Sequence, residues 1–162
     1  YRLIGYENRA LAREDFSNDK VDAGDIGAGH TVTALYEIVL AGGKGMRLQP
    51  LRYAQTETAK GKRNEIAHLR LRYKAPDGDR SRLIERPINT RMIEKSLSAT
   101  SENFRFSASV AAFAQLLRGG RYTESFDYSQ VANLVQTSRG KDPYGYRGEF
   151  LRLVNLAASL GG

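Results

Sequence analysis

The clearest pattern in this chain is an alternation over residues 67–74. Ala67, Leu69, Leu71 and Tyr73 take turns with His68, Arg70, Arg72 and Lys74. Successive side chains of a strand point to opposite faces, so this segment predicts a strand with a buried apolar face and a solvated basic one. Pro76-Asp77-Gly78-Asp79 follows as a turn, because proline presets its own φ and glycine accepts a positive one. Residues 81–88 then return as the second arm of an antiparallel pair. Pro87 near the end of that arm indicates a sheet edge, since proline donates nothing to a ladder. Earlier in the chain, residues 1–7 alternate weakly and residues 31–40 read as a half-buried strand. There Val32, Ala34, Tyr36 and Ile38 face one way, and Thr31, Thr33, Leu35, Glu37 and Val39 the other.

The period changes in the second half. Phe106, Val110, Phe113 and Leu117 form a helical stripe with small Ala111, Ala112 and Ala114 between them; Ser101 can cap its start and Gly119-Gly120 its end. A second helix is expected over residues 128–138. Asp127 and Gln130 form its N-terminal capping pair, Val131, Leu134 and Val135 its buried face, and Gly140 its stop. A third runs over residues 146–160 and buries Phe150, Leu153, Val154 and Ala157. Strands first and helices after predict an α+β fold. The expected architecture is an antiparallel β-sandwich or sheet in the N-terminal half, packed with a C-terminal bundle of about three helices. A β-rich subdomain is expected over 1–95 and a helical one over 96–162, together one compact unit.

Gly42-Gly43-Lys44-Gly45 breaks the chain after the early strand and opens a basic, glycine-bearing excursion over 41–65. The excursion contributes to a net charge of +7 in 162 residues, which raises the question of an anionic partner. The charge is unevenly spread. Glu14, Asp15, Asp19, Asp22 and Asp25 make the N-terminal loop acidic, whereas Lys44, Arg47, Arg52, Lys60, Lys62 and Arg63 make the excursion basic. On the predicted strands, Arg70, Arg72, Lys74, Arg82 and Arg86 are the candidates for an interaction surface. No recognition helix or RNA-binding signature accompanies them. Exposed aromatics among cations can stack on bases, but Tyr36 and Tyr73 fall on apolar strand faces, where core packing explains them.

Catalytic and metal-binding chemistry finds little support. The chain has no cysteine, which removes disulfides and thiolate metal sites. His30 opens a strand and His68 sits on a polar face, and neither has an acid motif beside it. No serine has the context of an activated nucleophile. The acids of the 14–25 loop fall at irregular intervals and lack the closing glutamate of a calcium loop; turn formation and helix capping explain them. Ala41-Gly42-Gly43-Lys44-Gly45 lacks the spacer and the Lys-Ser/Thr ending of a phosphate loop. No catalytic, cofactor-binding or metal-ligating residue is therefore assigned, and no cofactor is expected. No apolar run reaches the roughly 18 residues that span a bilayer.

Several segments, taken in order, resemble a known family. They are Tyr1-Arg2-Leu3-Ile4-Gly5-Tyr6-Glu7-Asn8-Arg9, the glycine-rich loop from Val21 into the strand at Ile38, and Leu69-Arg70-Leu71-Arg72-Tyr73-Lys74. Phe104-Arg105-Phe106 through Leu116-Leu117-Arg118 and Gly145-Tyr146-Arg147-Gly148-Glu149-Phe150-Leu151-Arg152-Leu153-Val154 complete the set. The ordered set resembles the C-terminal region of bacterial von Willebrand factor A-domain proteins of the YfbK-like kind, nearly end to end. The resemblance implies a region that follows an A domain and has no assigned activity. Asp127-Tyr128-Ser129-Gln130-Val131 is not the A domain's metal loop, because Val131 stands where that loop needs a serine. By this resemblance the chain is a piece of a longer protein, consistent with its opening in a strand-like segment without methionine. It would serve as a non-catalytic accessory and protein-interaction module, partnered by the A domain of the same protein or an envelope protein. The implied setting is the bacterial envelope, as a periplasmic, lipoprotein or secreted protein. The alternative is a basic surface for an anionic polymer, nucleic acid or membrane surface. A further expectation is that an uncovered sheet edge either self-associates or is shielded by the basic 41–65 excursion.

Overall fold

A computed structural model describes residues 1–5, 11–21, 24–40, 64–123 and 126–161. The class is α+β. The chain divides into two compact units, Tyr1–Ile93 and Glu94–Gly162. The first holds strands β1 (Arg2–Ile4), β2 (Leu35–Glu37), β3 (Glu65–Tyr73) and β4 (Arg82–Asn89). The second holds helices α1 (Glu102–Leu117), α2 (Tyr128–Thr137) and α3 (Tyr146–Leu160). The phosphate-loop look-alike at 41–45, Asp22 of the acidic loop and residues 41–63 of the basic excursion lie outside the described residues.

The strands form two separate antiparallel sheets of two strands each, β1–β2 and β3–β4. The expected sandwich is not found among the described residues, and β4 carries the sheets past the midpoint of the chain. The early strand is shorter than its alternation suggested: three residues, Leu35–Glu37, pair with β1, and Val32 is 64% exposed. An ion pair of 2.7 Å between the register partners Arg2 and Glu37 closes that small sheet. Tyr36, expected in the core, is exposed and meets Tyr1 edge to face.

The β3–β4 hairpin forms where expected. Its turn is closed by the Gly78 N–H donating to the Ala75 carbonyl at 3.0 Å. The positive φ of that turn falls on Asp77, at 56°, and not on the glycine; aspartate tolerates the left-handed region through local hydrogen bonding.

The helical unit supplies every fully buried side chain among the described residues: Val131, Val135, Val154, Ser109 and Ser138. Ser101 caps α1 by accepting from the Phe104 N–H, and Asp127 and Gln130 form the reciprocal capping box of α2. The buried face of α1 is rotated from the large-residue stripe. Val110 and Leu117 are 41% and 60% exposed, while Ser109 is buried and Phe106, Ala112, Phe113 and Leu116 pack on the core. Small side chains at 109 and 112 let a neighbouring helix approach closely, and the Ser109 hydroxyl donates to the Phe106 carbonyl at 2.6 Å. Leu153 of α3, expected inside, is 52% exposed, and Leu151 packs on the core instead.

Candidate functional site

The residues singled out as an interaction surface lie on β3 and β4, and the strand register decides how they are grouped. Directly opposed residues share a face. The partners Ala67–Ile88, Leu69–Arg86, Leu71–Ile84 and Tyr73–Arg82 define one face, and His68–Pro87, Arg70–Glu85 and Arg72–Leu83 define the other. The five basic residues therefore do not form one surface. Arg70 and Arg72 lie opposite to Arg82 and Arg86, and Lys74 turns to the same side as Arg72, where both meet Asp19.

The acidic N-terminal segment touches the face of Arg70 and Arg72 through Phe16 and Asp19, while Leu83 of that face stays 44% exposed. Arg70 pairs with Glu85 across the strands at 3.2 Å, and its guanidinium lies 4.9 Å from the centre of the Phe16 ring. Arg72 donates to Asp19 Oδ1 at 3.0 Å and to Ser81 Oγ. Ser81 donates in turn to Asp19 through its hydroxyl and its amide, and Lys74 Nζ donates to the Asp19 carbonyl at 2.6 Å. The Ser81 hydroxyl and amide hold the Asp19 carboxyl below its ordinary pKa. Desolvation opposes this, and the charges of Arg72 and Lys74 add smaller lowering contributions. The expected solvated face is thus a tether, with Arg72 half-buried. Asp19 is spent on it, and among the described residues no cluster of three or more metal-ligating side chains forms.

The opposite face is apolar and open. Leu69, Leu71, Tyr73 and Ile84 are 45%, 49%, 42% and 43% exposed. Arg82 and Arg86 stand among them, and neither has an ion-pair partner among the described residues. Core packing of Tyr73 is accordingly not found. His30 and His68 are both exposed, and no acid or nucleophile is held against either among the described residues. No described helix is long and apolar enough to cross a membrane.

The helical unit carries an open groove of about 620 Å³ lined by α1, α3 and the loop between α2 and α3. Arg147 organises it: it donates to Asn103 Oδ1 at 2.7 Å and to the Ser138 and Arg139 carbonyls, and lies 4.4 Å over the Phe106 ring. Burial alone would raise the Asp142 pKa, but the N–H groups of Arg147 and Gly148 and the charges of Arg139 and Arg147 leave it lowered. The helical stripes named Phe106, Val110 and Phe150 of this groove, but its exposed aromatics Tyr144 and Tyr146 lie outside them.

The family model described as "Uncharacterized protein YfbK, C-terminal" matches residues 1–160. The chain belongs to the YfbK C-terminal family. It is 46% identical over 159 residues to a protein of Escherichia coli (strain K12) described as "Uncharacterized protein YfbK". That match covers 97% of this chain and 27% of the relative, so the chain spans about a quarter of that protein's length. No solved structure matches it.

Proposed function

We propose that this region is a non-catalytic accessory module that docks onto another part of its own longer protein through the open face of the β3–β4 hairpin. The open apolar face carries this reading. A two-stranded sheet is marginal by itself in water and needs further strands or a packed surface to be stable. Here one face is tethered by residues 16–19, while Leu69, Leu71, Tyr73 and Ile84 remain largely exposed. An exposed apolar patch bearing basic residues fits a protein surface with an apolar centre and an acidic rim. The resemblance to von Willebrand factor A-domain proteins makes the A domain the favoured occupant, and it carries the envelope setting with it.

The test is to express the remainder of the full-length protein separately and measure its binding to this chain. Binding should be lost with Leu71→Asp and retained with Arg70→Ala, which lies on the tethered face. Absent binding, or equal binding by both variants, would overturn the reading. Binding of Leu71→Asp comparable to wild type, together with self-association in the free chain, would favour edge pairing along the nine-residue β3.

A second reading rests on Arg82 and Arg86, which share the open face without ion-pair partners among the described residues. They would hold an anionic polymer or membrane surface. Replacing both with glutamate should then abolish a salt-sensitive interaction with nucleic acid or anionic vesicles.

A further inference from the structure

The open face of β3–β4 has two unlike sides. Its β3 row is apolar throughout, with Ala67, Leu69, Leu71 and Tyr73. Its β4 row alternates: Arg82 opposes Tyr73, Ile84 opposes Leu71, Arg86 opposes Leu69 and Ile88 opposes Ala67. Apolar residues therefore line one long side of the strip and both cations the other, with Leu71 and Ile84 paired at its centre. No carboxylate stands among these four pairs. Arg82 and Arg86 are exposed and have no ion-pair partner among the described residues, whereas Arg70 and Arg72 of the opposite face pair with Glu85 and Asp19.

We infer that the element covering this face is a single amphipathic α-helix of the longer protein. It lies along the strands, its apolar stripe on the β3 row and an acidic flank against Arg82 and Arg86. The inference rests on the docking reading and names the occupant of the same site. An added strand would extend the sheet in its own plane and leave uncovered the side chains that stand perpendicular to it. Covering Leu69, Leu71, Tyr73 and Ile84 takes a second layer. A sheet stable enough to form that layer has three or more strands and would overhang the two present here. A second copy of the hairpin would bring arginines to a face that offers them no acid. A helix closes its backbone hydrogen bonds within itself, and its diameter of about 10–12 Å matches the roughly 10 Å presented by two strands.

The dimensions set the length and the charge spacing of that helix. Residues 67 to 73 span about 20 Å of strand, the length of about 13 helical residues. Arg82 and Arg86 lie about 13 Å apart along β4, so the matching carboxylates stand about eight residues apart, a spacing that keeps both on one side of a helix.

The test uses this chain and the separately expressed remainder of the full-length protein. Hydrogen exchange of the remainder should show added protection in one continuous segment of about 13 residues when the chain is present. Its apolar residues should recur at three- and four-residue spacing, with Asp or Glu along one flank. Arg82→Glu combined with Arg86→Glu should weaken binding at least about tenfold at low ionic strength, and the difference should shrink as salt rises. Both side chains are exposed, so the melting temperature should not move; Arg82→Gln with Arg86→Gln should weaken binding in the same direction without reversing charge. Changing the flanking acids of the protected segment to lysine should recover binding of the glutamate variant. Protection scattered over separate segments, protection of a segment with period-two alternation, or wild-type binding by the arginine variants would overturn the helix. Where Leu71→Asp still abolishes binding, those results leave the docking reading standing. Absent binding, or binding indifferent to Leu71→Asp, would overturn both.

Discussion

Val135 in α2 and Leu71 in β3 are both apolar residues within regular elements, yet one is fully buried and the other 49% exposed. The helical unit has a buried centre: Val131, Val135 and Val154, with Phe106, Phe113, Phe150 and Leu151 around them, while Leu117, Leu153, Leu156 and Leu160 of the same unit stay more than half exposed. The strand unit has a hairpin with an equally regular apolar face and no fully buried side chain among its described residues. Periodicity establishes that a face is apolar. It does not establish what covers it. The difference is that the helical unit has a fully buried core and the described part of the strand unit has none, which is why the docking proposal is placed on the hairpin.

The sharpest way to break that comparison is to place a charge in each unit. Val135→Asp buries an uncompensated carboxylate and should cost about 4 kcal/mol or more, enough to abolish the helical signal in far-ultraviolet circular dichroism. Leu71→Asp should cost at most about 1 kcal/mol in the same chain. A comparable loss from both would mean that the hairpin face is as deeply covered as the helical core.

Next in size is Arg147. Its removal in Arg147→Ala leaves the Ser138 and Arg139 carbonyls at the end of α2 without their donor and should cost about 2 kcal/mol in urea denaturation. Arg147→Lys should restore only part, because an ammonium cannot reproduce the planar fork or the stacking on Phe106. Asp127→Ala removes the capping box of α2 and should cost about 1 kcal/mol by the same measurement.

The smallest effect concerns the tether. The Asp19 carboxyl is held below its ordinary value of 3.8 in the folded chain, so its contribution is fully present above that value. It should fade as pH falls through the lower folded value. An NMR titration of the Ser81 amide should show a midpoint below 3.8, and Asp19→Asn should flatten it. A midpoint at or above 3.8 would remove the carboxylate from the tether.

The local features of this fold were legible in the chain: the β3–β4 hairpin with its turn, the Ser101 cap, the Asp127–Gln130 box and the three helices. Each depends on residues close in sequence. The less legible features depend on distant or small residues. Asp19 meets Arg72 across 53 positions and Ser81 across 62, and no local pattern announces that an acidic loop will bond to a basic strand face. Ser109 and Ser138 are buried because their hydroxyls bond back to the carbonyls of Phe106 and Leu134, which a search for large apolar residues passes over. The grouping of Arg82 and Arg86 with Leu69 and Leu71 required the cross-strand register, which sequence alternation on a single strand does not supply.

The central claim is that the open face of β3–β4 is covered by another part of the longer protein, while the helical unit carries its own buried core. Hydrogen exchange measured on this chain alone and within its full-length protein tests it most directly. The account predicts strong added protection at the amides of β3 and β4 in the full-length protein, with unchanged exchange in α1, α2 and α3. Identical exchange of the hairpin in both contexts would contradict it.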